Sequence, residues 1–285
     1  MSHSPCVDLH LHSSKSDGTC SPKELVRLAE ERNIKIISLT DHDTVAGVCE
    51  AKIQAEKSDI KFISGIEISA KYKGGTLHIL GYGIDVDSKP FLDKISKFQN
   101  IRKNRNRKIV KKLNELGIKI DIDEMMEKSM DIYSLGRPHI AEILIKRGLV
   151  KNMDEAFDRY LGRNKKAFVK KEVFTSDESI KIIHEAGGKA FLAHPVTLNL
   201  EGARFIDYLD KLVKHGLDGI EVYATLHSPE KTQFYKTLAI ERNLMISAGS
   251  DFHGDMKPET PFGICNNGKK VNSNLISYEF FRDLN

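Results

Sequence analysis

The residues best suited to chemistry in this chain are histidines and carboxylates placed where apolar runs end. His10 and His12 lie two apart in Asp8-Leu9-His10-Leu11-His12. In an extended strand side chains alternate, so both point to one side and one ion can take both. Alone, the pair is equally compatible with satisfied strand histidines. Thr40-Asp41-His42-Asp43 directly follows Ile36-Ile37-Ser38-Leu39, where burial of three ionisable groups calls for a cation, or for a helix that Asp41 or Asp43 caps. Glu67 and His78 interrupt otherwise apolar runs. A buried carboxylate needs a partner, either two bridged cations or an arginine. Ala193-His194-Pro195 and Ser250-Asp251-Phe252-His253 close two further runs, the second repeating the i, i+2 spacing. Each has an ordinary structural alternative, but their joint recurrence at strand ends favours metal binding.

A cluster of divalent cations lowers the pKa of a bridging water, orients it toward phosphorus and neutralises charge growing on phosphoryl oxygens. Hydrolysis of a phosphate ester is therefore the expected reaction. The chain has no GxxxxGK[ST] loop, no GxGxxG after a strand and no nucleophile elbow, which leaves little support for nucleotide-driven, dinucleotide or serine-hydrolase chemistry.

These side chains need strands to position them. Apolar runs at 6–9, 34–39, 62–68, 77–82, 190–193, 219–222 and 245–248 predict seven strands. Helical patterns lie between them. Ser21-Pro22-Lys23-Glu24 carries an N-cap, a first-turn proline and a capping-box glutamate, and Thr175 or Ser176 can cap a helix that Gly187-Gly188 ends. Alternation of this kind predicts an α/β barrel with parallel strands and chemistry at their C-terminal ends. From 86 to 172 the strand signals stop and helical patterns occupy 88–117 and 138–146. The expected organisation is a catalytic barrel of residues 1–85 and 173–285, with 86–172 as an inserted helical subdomain for substrate recognition. That segment holds 22 Lys and Arg against 13 Asp and Glu, leaving 22 against 27 elsewhere, so a basic insert sits on an acidic body.

Within the insert, a helix started at Pro90 aligns Phe91, Ile95, Phe98, Arg102, Arg105, Ile109, Leu113 and Leu116 in one stripe. Arg102 and Arg105 interrupt its apolar face and, if it packs on the barrel, are aimed inward where a phosphate can pair with them. In Gly136-Arg137-Pro138-His139 the proline can start a helix whose positive end places Arg137 and His139 as a second phosphate seat. The four cysteines are scattered and read as reduced thiols. No apolar run is long enough to span a bilayer, and Met1-Ser2-His3-Ser4-Pro5 lacks a signal-peptide pattern, so the expected location is cytoplasmic, with no membrane and no obligate protein partner.

The motifs Asp8-Leu9-His10-Leu11-His12, Ser16-Asp17-Gly18, Thr40-Asp41-His42-Asp43, Gly65-Ile66-Glu67, His78, Ala193-His194-Pro195 and Ser250-Asp251-Phe252-His253 resemble, in order and from end to end, those of the PHP (polymerase and histidinol phosphatase) superfamily. The resemblance implies a distorted seven-stranded (β/α)7 barrel with a trinuclear metal centre. It implies that His10, His12, Glu67 and Asp251 hold one ion, Glu67, His78 and His194 a second, and Asp17, His42 and His253 a third. Manganese is the ion it implies first, with zinc, iron or magnesium as alternatives, because mixed imidazole and carboxylate ligands do not choose among them. The insert and its Gly136-Arg137-Pro138-His139-Ile140-Ala141 segment are similar to the branch of 3',5'-nucleoside bisphosphate phosphatases that also act as 5'-3' exoribonucleases on short RNA. This implies activated hydroxide attack, through the metals bound by His10, His12, Glu67, His194 and Asp251, on the phosphate at the 3' oxygen of a substrate such as adenosine 3',5'-bisphosphate, with AMP as product. The leaving-group acid stays open among His139, Asp41 and a metal-bound water. Two other readings remain: a histidinol-phosphate-type phosphatase, and a non-catalytic PHP module that binds nucleic acid.

Overall fold

The computed structural model describes residues 4–121, 137–170 and 172–284, and of Arg102 the backbone. Its frame is one eight-stranded sheet curled into a nearly closed barrel. The strands are β1 (Cys6–Leu11), β2 (Ile36–Leu39), β3 (Lys61–Ala70), β4 (Leu77–Tyr82), β5 (Lys189–Leu192), β6 (Gly219–Ala224), β7 (Met245–Gly249) and β8 (Val271–Asn272), in the order β7-β6-β5-β4-β3-β2-β1-β8. Strands such as β2 and β6 are buried along their whole length, which is why their sequences read as continuous rather than alternating apolar runs.

The expected (β/α)7 barrel is therefore corrected in two respects. An eighth strand is present, since β8 pairs antiparallel with β1 through Cys6↔Asn272 and Val7↔Val271. In addition, β4 runs antiparallel to both β3 and β5. The physical reason for the second is the connection: residues 71–76 are too few for the crossover of roughly a dozen residues that a parallel neighbour requires. A two-residue strand such as β8 has no alternation to read. β8 covers the start of β1, and the end of β1 is tied to the chain leaving β7 by Asp251 N–H to His10 O (3.0 Å) and His12 N–H to Phe252 O (3.0 Å).

Nine α-helices lie among the described residues: α1 (Pro22–Glu31), α2 (Val48–Ala55), α3 (Lys89–Glu115), α4 (Arg137–Lys146), α5 (Met153–Ala156), α6 (Ser176–Glu185), α7 (Gly202–Lys214), α8 (Pro229–Glu241) and α9 (Tyr278–Asp283). Ser21 and Thr175 cap α1 and α6 with full capping boxes through Glu24 and Glu178. The long helix α3, about 40 Å at 1.5 Å per residue, joins two hydrophobic cores. Phe91 and Ile95 belong to the barrel core, whereas Ile109 and Leu113 join Ile140, Leu144 and Leu161 in a separate cluster. The predicted stripe thus has two partners, and it stops before Leu116, which is exposed past the helix end. Midway, Gln99 donates from Nε2 to the backbone oxygen of Asp43 (3.0 Å), tying α3 to the rim where β2 ends. No helix among the described residues is long and apolar enough to cross a membrane, and all four cysteines are free thiols.

Candidate metal centre

Strand β1 delivers His10 and His12 to the barrel interior, both fully buried. Its position is set by Asp8, whose carboxylate accepts from Ser250 N–H (2.9 Å), Ser250 Oγ (2.6 Å) and Gly263 N–H (2.8 Å). Burial pushes the Asp8 carboxyl up to about 6 despite those donors. Gly249 lets β7 approach: a Cβ there would lie 2.1 Å from the His10 Cβ and 2.8 Å from Glu221 Oε1. Past β7 the chain turns through Asp251 at φ 57°, and past β5 through His194 at φ 21°. Both are sparsely populated conformations for residues with a Cβ, of the kind concentrated at functional sites.

Glu67 occupies the middle of the cluster. Its Oε1 lies 2.8 Å from His78 Nδ1 and 2.9 Å from His194 Nε2, and its Oε2 lies 3.0 Å from His42 Nδ1, 3.1 Å from His12 Nε2 and 3.3 Å from His10 Nε2. Asp251 Oδ1 is 3.4 Å from His10 Nε2 and 3.3 Å from His12 Nε2. On the other side Asp17 Oδ1 stands 3.6 Å from His12 Nδ1 and 3.4 Å from His253 Nε2, and Asp17 Oδ2 is 3.8 Å from His42 Nε2. Three overlapping donor groups result: His10, His12, Glu67 and Asp251; His12, Asp17, His42 and His253; and His42, Glu67 and His78. His194 adjoins the last group through Glu67 and through His78 Nδ1 at 3.4 Å. The structure thus brings together all nine residues of the expected ligand set.

These residues fit divalent cations on the chemistry of the donors themselves. His10 Nε2, both His12 ring nitrogens, Asp17 Oδ1, His42 Nδ1, Glu67 Oε2, Asp251 Oδ1 and His253 Nε2 are buried without a hydrogen-bond partner. Leaving so many polar atoms unsatisfied in one place is costly unless something else satisfies them. Ligands about 2.1 Å from a tetrahedral ion sit roughly 3.4 Å apart, close to the separations seen. The electrostatics point the same way. Burial by itself would raise Glu67, yet the neighbouring imidazoles of His42, His78 and His10 hold it well below the usual carboxylate range. Burial would lower His12, but Asp251 and Glu67 bring it up to about 9, and Glu221, Glu67 and Asp251 likewise hold His10 well above its ordinary value. For His42 burial prevails and its pKa is well below the ordinary value.

Asp41 faces elsewhere. Its oxygens accept from Ser13 N–H (2.7 Å), Ser13 Oγ (2.6 Å) and Ser16 Oγ (2.5 Å), so it fastens the loop that presents Asp17. In the helical segment, Arg105 is buried and His139 half-buried. Arg137 donates to Leu161 O (3.0 Å) and lies over the rings of Phe157 and Phe168, contacts internal to that segment. The Arg102 side chain and Gly136 lie outside the described residues.

One residue of the site escaped the sequence reading. Glu221, fully buried in β6, receives His194 N–H at 2.6 Å and lies 3.0 Å from His10 Nδ1. The signal was the one that marked Glu67, a carboxylate inside an apolar strand. By fixing the ring nitrogen of His10 that faces away from the cluster, Glu221 orients the other toward it. Glu221→Gln is expected to weaken metal affinity by about 10- to 100-fold, the usual effect of losing such a partner, as measured by metal titration with a competing chelator. Unchanged affinity would show that packing alone orients His10.

Comparison with known proteins adds four findings. The PHP domain model matches residues 8–186. The chain is 37% identical over 246 residues to the 5'-3' exoribonuclease of Haemophilus influenzae, spanning 86% of this chain and 89% of the relative. It is 31% identical over 247 residues to the 3',5'-nucleoside bisphosphate phosphatase of Chromobacterium violaceum, covering 87% of each. Among solved structures, an amidohydrolase from Chromobacterium violaceum with bound sulfate and no metal superposes with a TM-score of 0.80 at 31% identity, covering 93% of this chain and 91% of that one.

Proposed function

Since the chain belongs to the PHP domain family and is a metal-dependent phosphoesterase, we propose that it hydrolyses the 3'-phosphate of nucleoside 3',5'-bisphosphates and releases 5'-mononucleotides from short 5'-phosphorylated RNA. The observation that carries this reading is the convergence of three donor groups around Glu67 and His12, joined through α3 to a strongly basic helical segment. One site then serves both substrates, because each presents a phosphate on a 3' oxygen and a second phosphate on the 5' side.

Under this reading the nine cluster residues hold three ions, with Mn²⁺ the first candidate: His10, His12, Glu67 and Asp251 one, Glu67, His78 and His194 the second, and Asp17, His42 and His253 the third. Bound there, the ions would supply an activated water and neutralise phosphoryl charge. The protein's own share is positional. Asp8 and Glu221 hold the strands and His10 in register, and Asp41 holds the loop carrying Asp17. Residues 86–172 form the substrate-recognition unit, in which Arg102, Arg105, Arg137 and His139 receive the 5'-phosphate. The bond between phosphorus and the 3' oxygen breaks, oxygen from water joins phosphorus, and the 3' oxygen takes a proton. On RNA this frees a 5'-mononucleotide and leaves a new 5'-phosphate for the next round.

Product analysis tests the proposal directly. Manganese-loaded protein is expected to convert adenosine 3',5'-bisphosphate to AMP and phosphate, and a 5'-phosphorylated pentaribonucleotide to mononucleotides, both faster than it cleaves histidinol phosphate. Preference for histidinol phosphate would overturn it, as would salt-dependent RNA binding without products.

A further inference from the structure

The loop joining β3 to β4 carries Lys71, Tyr72 and Lys73 beyond the cluster. Tyr72 meets Tyr208 of α7 with ring centroids 5.0 Å apart and planes inclined at 57°. Together with Lys211 they line a cavity of about 340 Å³ at the start of α6. Both tyrosines are half-buried and the three lysines are exposed. Among the described lining residues these lysines face one carboxylate, Asp177. Gly74 lies beside Tyr72, where a Cβ would come within 3.1 Å of the phenol oxygen.

This loop is joined to the metal centre. Thr76 N–H donates to Thr197 O (2.9 Å), Thr197 Oγ1 donates to Thr76 O (3.0 Å), and the same hydroxyl lies 3.0 Å from His194 Nδ1. Tyr72 stands two residues past the end of β3 and five positions after Glu67, so at most about 17 Å of extended chain, at about 3.3 Å per residue, separates them. The Thr76–Thr197 pair thus anchors the far end of this loop beside His194, within reach of a chain that leaves the cluster. Paired aromatic rings flanked by lysines suit single-stranded nucleic acid, because every base has a face to stack and every linkage a charge to neutralise.

We propose that the Tyr72–Tyr208 cavity is a subsite for RNA on the 3' side of the scissile phosphate, where a base stacks on the tyrosines and the linking phosphates pair with Lys71, Lys73 and Lys211. The inference rests on the reading of the metal centre given above. A nucleoside bisphosphate ends at the scissile phosphate and does not reach this subsite, which therefore separates the two substrates.

The test uses two variants of the whole chain, Tyr72→Ala/Tyr208→Ala and Lys71→Ala/Lys73→Ala/Lys211→Ala. Binding is measured by fluorescence anisotropy of a 3'-labelled, 5'-phosphorylated pentaribonucleotide in EDTA, where no cleavage intervenes. Losing the aromatic pair is expected to raise Kd roughly tenfold or more. Losing three lysines is expected to flatten the slope of log K against log salt by about 2, at about 0.7 per phosphate contact on a single strand. Phosphate release from adenosine 3',5'-bisphosphate by the manganese-loaded variants should stay close to wild type. Unchanged RNA affinity and salt slope, or equal losses on the bisphosphate, would overturn the subsite, as would a wild-type protein that does not bind the RNA. Failure of the underlying reading appears separately, as no phosphate release from the bisphosphate by wild type.

Discussion

Glu67→Gln is expected to lower metal-dependent turnover by at least roughly 10³-fold and to remove bound metal at the same time. Five ring nitrogens, from His10, His12, His42, His78 and His194, lie within 3.3 Å of the two Glu67 oxygens, so both oxygens are committed. Glutamine keeps the volume of the side chain in its fully buried position but offers one neutral oxygen and an amide that donates where an acceptor is needed. A carboxylate that serves two ions loses both contacts in this exchange, whereas a peripheral ligand loses one. The same loss should appear in stability. A ligand present at about 1,000 times its Kd adds about 4 kcal/mol to the folded state, and the variant forfeits much of that in manganese but not in EDTA. Metal content by mass spectrometry, phosphate release and thermal unfolding with and without manganese read the three effects, with circular dichroism to establish the fold. Full metal content with full activity would refute a bridging Glu67.

The cluster was legible because ionisable residues inside or just after apolar strands have few inexpensive explanations. His10, His12, Glu67 and Asp251 each stood out in this way, and they meet at 3.1–3.4 Å. Glu221 carries the same mark as Glu67, a carboxylate inside an apolar run, but it acts on the cluster through His10 rather than from within it. Its partners, His10 and the His194 backbone, are far away along the chain. The direction of β4 depended on the length of one connection rather than on any residue type, and β8 on two residues that have meaning only beside Cys6 and Val7. Asp41 shows a further limit. The pattern Thr40-Asp41-His42-Asp43 marks a polar strand end, but it is His42 that joins the cluster, while Asp41 accepts from Ser13 and Ser16 and Asp43 from Ser69, partners more than twenty residues away along the chain. Phe91, Ile95, Ile109 and Leu113 of the α3 stripe are buried, while the division of that stripe between two cores depends on tertiary partners.

Arg137→Ala is expected to reduce kcat/KM for adenosine 3',5'-bisphosphate by about 10²-fold while changing hydrolysis of a simple aryl phosphate by less than about threefold, as loss of one partner of a partly buried charge pair does. Arg137 is held without being fully used. One guanidinium nitrogen donates to Leu161 O at 3.0 Å, and the group lies 5.4 Å from the Phe157 ring centre and 5.9 Å from that of Phe168. Stacking of this kind orients a planar cation and leaves its other N–H groups to form a fork for phosphate. Burial lowers the pKa of the group, an unfavourable desolvation that a bound anion would relieve. Because the same contacts help pack the insert, alanine alone does not separate recognition from structure. Arg137→Lys does: it keeps the charge but loses the fork and the stacked plane, so it should recover part of the loss on the bisphosphate and leave the aryl phosphate unchanged. The aryl phosphate reaches the metal cluster without needing a 5' contact, so equal losses on both substrates would reduce Arg137 to a packing residue. In that case the 5'-phosphate seat would have to lie elsewhere on the basic segment.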